Sequence, residues 1–390
     1  TIRTPRLDAL AAEGARLTVF YAAPSCSPSR YQFLTGRYSN RGGIGGALMP
    51  ESKAGLARDE VTIADLARAA GYRTAAVGKW HLGTLPGFRP TEHGFDSYFG
   101  LLYSNDMIRP WVQTDRPLEL YRDTKPVERA GDQSDLTQRY TEEALKFIRG
   151  SAKDPFFLYL PYAMPHLPVS ARAPFAGRSR AGVYGDTIET IDWSAGQILE
   201  ELKKQGLDND TLVVFASDNG PWHDLPQRMY ANGVEAWHTG TKGMLRGAKA
   251  STWEGGFRVP GIVRWPGVIP GGQVTADMAS TLDLLPTFAA AAGAQMPTDR
   301  KFDGSDLLGW LRGAAAATRN EFFYYSGDQL QAVRQGPWKL RAPRDQAPGL
   351  YHLDRDPGEM YNVYERHSDI ASRLSARMRE LETELAGAAL

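Results

Sequence analysis

The sequence predicts an α/β fold in which a mainly parallel central sheet is flanked by helices and followed by a smaller C-terminal antiparallel sheet with a closing helix. Three observations lead there. The apolar runs Phe156-Phe157-Leu158-Tyr159-Leu160 and Thr211-Leu212-Val213-Val214-Phe215-Ala216 have the length and composition of strands buried on both faces. Stretches of helical period separate such runs, which is the alternation that builds parallel sheets. Toward the C-terminus the texture changes to short aromatic and β-branched runs broken by Gly and polar residues. A boundary follows, with 1–312 as the α/β domain and 313–390 as a smaller α+β domain.

In chain order, Leu7, Leu10 and Ala11 share one face, Pro5 suits a first helical turn and Gly14 a stop, so 4–14 reads as a helix. A short strand is expected over 17–21. Pro24-Ser25-Cys26-Ser27-Pro28-Ser29-Arg30 is a loop by composition and 31–37 a helix running to Gly36, which sets Cys26 just ahead of a helix N-terminus. Thr62-Ile63-Ala64-Asp65 has the form of a capping box, opening a helix that Gly71 stops, with a strand over 74–77 behind it. A helix over 186–202 joins the two apolar strands, and 280–292 is another. Glu321-Phe322-Phe323-Tyr324-Tyr325 and Gln331-Ala332-Val333-Arg334 read as antiparallel strands. From His367 onward Leu374, Met378 and Leu381 recur at helical spacing. The helix over 4–14 follows no strand, so a leader or first strand upstream of Thr1 is expected.

Composition narrows the function. Forty-five Lys and Arg balance forty-five Asp and Glu, so the overall charge favours neither nucleic acid nor an anionic membrane. No apolar run is long enough to span a bilayer, and no signal-peptide pattern opens the chain. A single cysteine excludes a disulfide framework and a multi-thiolate zinc site, leaving a buried residue, a reactive thiol or a modified one. The seven His lack the close paired spacing of imidazole zinc sites.

Four polar loops follow predicted strands, where open α/β sheets place ligands. They hold Cys26 and Arg30; Gly78-Lys79-Trp80-His81-Leu82-Gly83; Pro165-His166-Leu167-Pro168; and Ser217-Asp218-Asn219-Gly220. Strand alternation would point Lys79 and His81 to one side. A fifth segment, 245–258, is rich in Gly and cations and contains Lys249. Taken singly, each has a structural reading: a lone Cys is usually a small buried hydrophobe, Asp-Asn-Gly a common turn, and lysine a solvated charge. His223, His238 and Lys242 are equally suited to an active-site rim or to loop structure. Trp222, Trp237 and Trp253 suit a stacking role or loop packing alike.

In this order, the segments resemble the type I sulfatases, formylglycine-dependent arylsulfatase-like enzymes of the alkaline phosphatase superfamily. Cys26-Ser27-Pro28-Ser29-Arg30 with Leu34-Thr35-Gly36-Arg37 is similar to the signature in which the Cys is oxidised to formylglycine. Gly78-Lys79-Trp80-His81-Leu82-Gly83, Ser217-Asp218-Asn219-Gly220, the 249–256 stretch and 350–359 are similar to further family segments. The resemblance implies an alkaline-phosphatase-like fold and hydrolysis of an aryl or saccharide sulfate monoester. It implies a formylglycine-generating enzyme as transient partner. It further implies that the hydrated aldehyde from Cys26 attacks sulfur, and that its second hydroxyl then lets the sulfated form collapse and release sulfate.

By the same resemblance a calcium ion is held by Asp218, Asn219 and residue 26, while Arg30 and Lys79 hold the hydrate. His81 matches the base that expels sulfate, and Lys249 and His166 match the pair that binds sulfate and protonates the leaving group. Ser104, in Tyr103-Ser104-Asn105-Asp106, matches a sulfate-contacting serine, and an Asp-Asp pair on the upstream first strand would complete the metal shell. Export rather than a cytoplasmic location is also implied. Two alternatives remain open from sequence: a phosphonate monoester or phosphodiester hydrolase of the same superfamily, and a non-catalytic sulfate or glycan binder lacking the first metal-binding strand.

Overall fold

The computed structural model describes residues 2–387 and has the expected α/β architecture. Its strands are β1 (Ala15–Tyr21), β2 (Arg73–Val77), β3 (Ser97–Leu101), β4 (Glu119–Arg122), β5 (Lys125–Arg129), β6 (Phe156–Tyr159), β7 (Val213–Ala216), β8 (Arg258–Arg264) and β9 (Gln273–Ser280), then β10 (Glu321–Ser326), β11 (Gln329–Gln335), β12 (Trp338–Arg341) and β13 (Gly349–His352). The helices are α1 (Pro5–Ala12), α2 (Cys26–Thr35), α3 (Ile63–Ala69), α4 (Leu136–Gly150), α5 (Gly182–Lys204), α6 (Glu254–Phe257), α7 (Leu284–Ala292), α8 (Leu308–Leu311) and α9 (Ser368–Gly387). None of them is long and apolar enough to cross a membrane.

Local chemistry explains the helices that sequence foresaw. At α3, Thr62 Oγ1 accepts the Asp65 N–H at 3.1 Å and the Asp65 carboxylate accepts the Thr62 N–H at 3.0 Å, satisfying two donors that a helix start leaves unpaired. At α1, Asp192 of α5 supplies the acceptor, taking the N–H groups of Arg6 and Leu7 at 3.0 and 2.8 Å. Leu7 and Leu10 then bury against Ile262 of β8. Helix α2 begins at Cys26 itself, five residues earlier than composition suggested, because Pro28 lies in its first turn, where a missing N–H costs nothing.

In the sheet of order β5-β4-β3-β2-β6, β3, β2 and β6 run parallel and β4 and β5 form an antiparallel edge. In the sheet of order β7-β8-β1-β9, β1 and β9 are parallel and β8 is antiparallel to both neighbours. The strands β6 and β7 each have a ladder partner on one side only among the described residues. Both line a cavity of about 1460 Å³, whose walls also include Leu7, Ile191 and Leu199 and, from α2, α3 and α7, Phe33, Leu66 and Phe288. For this reason two strands read as buried on both faces are only half-buried.

The C-terminal sheet is antiparallel throughout, in the order β10-β11-β12-β13. Ala371, Leu374, Met378 and Leu381 of α9 pack on it, in a core shared with Val19 and Tyr21 of β1 and with Phe257 and Met278. Residues on both sides of position 312 therefore contribute to one packed interior.

Candidate active site

Beyond Val77 the chain leaves β2 through Gly78, whose φ is +132° and where a Cβ would lie 2.0 Å from the Pro161 carbonyl oxygen. Only glycine lets the backbone pass so close. Lys79 N–H then reaches Pro161 O at 2.7 Å and Trp80 N–H reaches Leu101 O at 2.8 Å, which carries the Lys79 side chain into the interior. Its Nζ donates to Ser104 Oγ at 3.1 Å. His81 does not follow strand alternation, for its φ is +60°. That conformation costs a side-chain-bearing residue about 1 kcal/mol or more and is sustained by its surroundings.

At the first turn of α2, Cys26 Sγ is 3.5 Å from Lys249 Nζ and 3.6 Å from Asn219 Oδ1. Arg30, one turn on, is buried; it pairs with Asp218 Oδ2 at 3.0 Å and donates to the Lys79 carbonyl. Ser29 Oγ accepts the Ala23 N–H at 2.7 Å and donates to Asp218 O. Ser27 Oγ accepts the Leu48 N–H at 3.0 Å, and the carbonyl of Leu48 lies 2.9 Å from His81 Nε2. A carbonyl can only accept, so His81 Nε2 carries the hydrogen. Its buried Nδ1 has no hydrogen-bond partner among the described residues and presents a lone pair.

The loop bearing Lys249 is fixed by its backbone, with Lys249 N–H to Pro221 O at 2.9 Å and Ala250 N–H to Pro24 O at 2.8 Å. The Lys249 ammonium stands 4.9 Å from the ring centre of Trp222, which in turn lies 5.8 Å from His166. His166 Nδ1 is 2.7 Å from Leu167 O, leaving Nε2 free for another partner, and 3.8 Å from Asp106 Oδ1. Asn105 Nδ2 holds this loop by donating to the carbonyls of His166 and Pro168, each at 3.2 Å.

The electrostatics follow from packing Lys249, Lys79 and Arg30 around residue 26. Burial alone would raise the Cys26 thiol, but the charges of Lys249 and Lys79 and contacts with His166 and His81 hold it well below its ordinary value. Burial, reinforced by Arg30 and Lys249, lowers Lys79. Burial and the Lys79 charge also lower His81, so its imidazole is neutral at pH 7. Asp106 is held below the usual carboxylate range: burial opposes this, and His166, a bond from Ser104, Lys79 and Lys249 outweigh it.

Cys26, Arg30, Lys79, His81, Ser104, His166, Asp218, Asn219 and Lys249 thus fall in one cluster, drawn from six separated segments. Sequence reading missed Asp106, which faces His166 from sixty residues away, and the bridging role of Leu48; neither has a spacing signal. Of the candidate rim residues, His238 and Lys242 line the cavity, while His223 Nε2 bonds Gly240 O at 2.8 Å. Trp237 is 70% exposed and Trp253 is enclosed by Arg246 and Arg341. Chemically, the arrangement offers positive groups for a tetrahedral anion, a neutral imidazole base, a second imidazole beside a carboxylate, and a residue at a helix N-terminus to attack.

Comparison with known proteins accords with this geometry. Residues 1–294 match the family model described as Sulfatase, and residues 248–384 match that described as N-sulphoglucosamine sulphohydrolase, C-terminal. Steryl-sulfatase of Rattus norvegicus is 37% identical over 492 residues, covering 97% of this chain and 84% of that protein. N-acetylgalactosamine-6-sulfatase of Canis lupus familiaris is 37% identical over 411 residues, covering 92% and 76%. The crystal structure of PsFucS1 sulfatase from Pseudoalteromonas sp. superposes with a TM-score of 0.87 at 28% identity, covering 99% of this chain and 85% of that one.

Proposed function

This chain belongs to the sulfatase family and is a sulfuric ester hydrolase, and from that premise we propose that it cleaves sulfate monoesters of aryl or saccharide alcohols, with residue 26 as formylglycine and a calcium ion beside Asp218 and Asn219. The observation that carries the reading is the position of residue 26, at a helix N-terminus with Lys249 Nζ at 3.5 Å and Asn219 Oδ1 at 3.6 Å. Relatives named steryl-sulfatase and N-acetylgalactosamine-6-sulfatase support sulfate ester hydrolysis, and the second supports a saccharide leaving alcohol.

Lys79, Lys249 and His166 would bind the sulfate oxygens, with Ser104 oriented toward them by its bond from Lys79. Cations fixed in a low-dielectric site stabilise the charge that develops as the ester breaks, since they need no reorganisation. His166 would give its Nε2 proton to the leaving oxygen, with the Asp106 carboxylate beside it, 3.8 Å from Nδ1. His81 would take a proton from residue 26 at its free Nδ1, its neutrality keeping that lone pair available. Formylglycine supplies, in its hydrated form, a hydroxyl nucleophile and a second hydroxyl that plain serine lacks.

Calcium would supply fixed positive charge beside the sulfate and residue 26. Asp218 and Asn219 offer the hard oxygens it takes, but its shell of about six to eight needs more, and the described residues hold no group of three or more acidic, His or Cys ligands. The cavity between β6 and β7 reaches Asp218 and Asn219, and among the described residues each of these two strands has one edge without a ladder partner. Parallel turnover of matched aryl sulfate and aryl phosphonate esters tests the function; faster phosphonate turnover would overturn it. The mass of the peptide carrying residue 26 tests the nucleophile, an unmodified thiol in active enzyme being the contrary result.

A further inference from the structure

The loop that presents Lys249 is gripped from behind by the C-terminal sheet, through contacts the catalytic reading does not use. Trp253 lies between two guanidinium groups, with Arg246 at 3.8 Å and Arg341 at 4.2 Å from its ring centre. Arg341, on β12, donates from Nε to Thr252 Oγ1 at 3.1 Å. Arg246 donates to the Glu359 carbonyl at 2.9 Å, and the Glu359 carboxylate accepts the backbone N–H of Glu254 at 2.8 Å. Lys339, also on β12 and fully buried, lies 3.0 Å from Glu254 Oε1 and 2.8 Å from Glu359 Oε1. Glu254 further accepts the hydroxyls of Tyr21 and Tyr324 at 2.6 and 2.9 Å.

A buried array of two carboxylates and an ammonium is a poor source of stability, because desolvation cancels much of the attraction and apolar residues of similar volume would serve as well. What it does provide is direction, since hydrogen-bonded charges hold one geometry. Here the contacts converge on the segment from Arg246 to Glu254. Its opposite side is tied at Lys249 N–H and Ala250 N–H to the loops holding Asn219 and Cys26. Ala250 and Glu359 are both in the left-handed region, with φ of 70° and 51°, a conformation that the surrounding bonds sustain.

We propose that the C-terminal sheet, through Arg341 and the Lys339, Glu254 and Glu359 array, is the positioning element for Lys249, setting its ammonium beside residue 26. The inference rests on the catalytic reading of Lys249 given above. A displacement of about 1 Å in a group aimed at the reacting centre costs on the order of tenfold to a hundredfold in rate.

A double-mutant cycle separates positioning from general support of the fold. Arg341→Met and Lys249→Ala are made singly and together in the full chain, with kcat and KM measured on an aryl sulfate beside thermal unfolding. Arg341→Met is expected to lower kcat about tenfold when Lys249 is present and less than about twofold when it is not. The pair Lys339→Met with Glu359→Gln keeps the charge balance and provides a second cycle with the same expectation, should Arg341→Met fail to fold. Equal losses in both backgrounds would overturn the inference and leave the role of Lys249 standing. Unchanged kcat in Lys249→Ala would overturn the catalytic reading of Lys249, and the inference with it.

Discussion

Replacing His166 by Gln separates proton donation from every other role this side chain could have. Glutamine keeps a polar tip of similar reach but has no proton to transfer at neutral pH. His166 sits on a loop lining the cavity, and its contact with the tilted Trp222 ring at 5.8 Å, which glutamine forgoes, is worth about 0.5–1.5 kcal/mol. A positioned general acid contributes about 10²–10⁴ in rate, or about 3–5 kcal/mol of barrier. That contribution falls as the leaving alcohol becomes more acidic, because a stable anion needs no proton. Initial rates are therefore measured for a series of aryl sulfates of graded phenol acidity and one sugar sulfate. The variant should lose at most about tenfold with the most acidic phenol and about a hundredfold or more with the sugar. Plotted against leaving-group pKa, its line should be steeper than that of the wild type. Parallel lines would refute the reasoning, since a residue that only binds sulfate slows all substrates alike.

Cys26→Ala should abolish turnover and shift the unfolding temperature little, because residue 26 contributes a small side chain at a loop junction; residual wild-type rates would remove it from the mechanism. Chelation should inactivate the enzyme and lower its unfolding temperature, with calcium restoring both through binding to the folded state alone; an unfolding curve indifferent to chelator and calcium would argue against the ion. Burial holds the His93 imidazole below its ordinary value of 6.5 despite the Gly87 carbonyl 3.1 Å from Nε2. As pH falls through 6.5 the unfolded chain binds a proton that the folded chain does not, so stability is lost below that value and is steady above it. His81 acts in the same sense. Unfolding temperature should thus decline from about pH 7 to about pH 5.5, less steeply in His93→Gln; superimposable curves would show that His93 does not contribute.

Whatever depends on neighbours along the chain or on the order of segments is legible in the residues alone. The capping box at Thr62 and Asp65 was legible because both bonds close within one turn. The apolar runs at β6 and β7 marked strands because composition alone sets that propensity, and the ordered motifs around Cys26, Lys79, Asp218 and Lys249 pointed to sulfate chemistry through family resemblance. Helix α4, with Leu136, Tyr140, Ala144 and Ile148 buried at four-residue spacing, also carries a periodic signal in its sequence. Tertiary structure alone decided the rest. It paired Asp106 with His166, turned His81 by a left-handed backbone, enclosed Trp253 between Arg246 and Arg341, and left β6 and β7 facing a cavity. Apart from the contact of Arg246 with Trp253, seven positions on, these features depend on contacts between residues tens of positions or more apart. Only the packed chain brings such partners within the few ångströms over which hydrogen bonds and close charge pairs act.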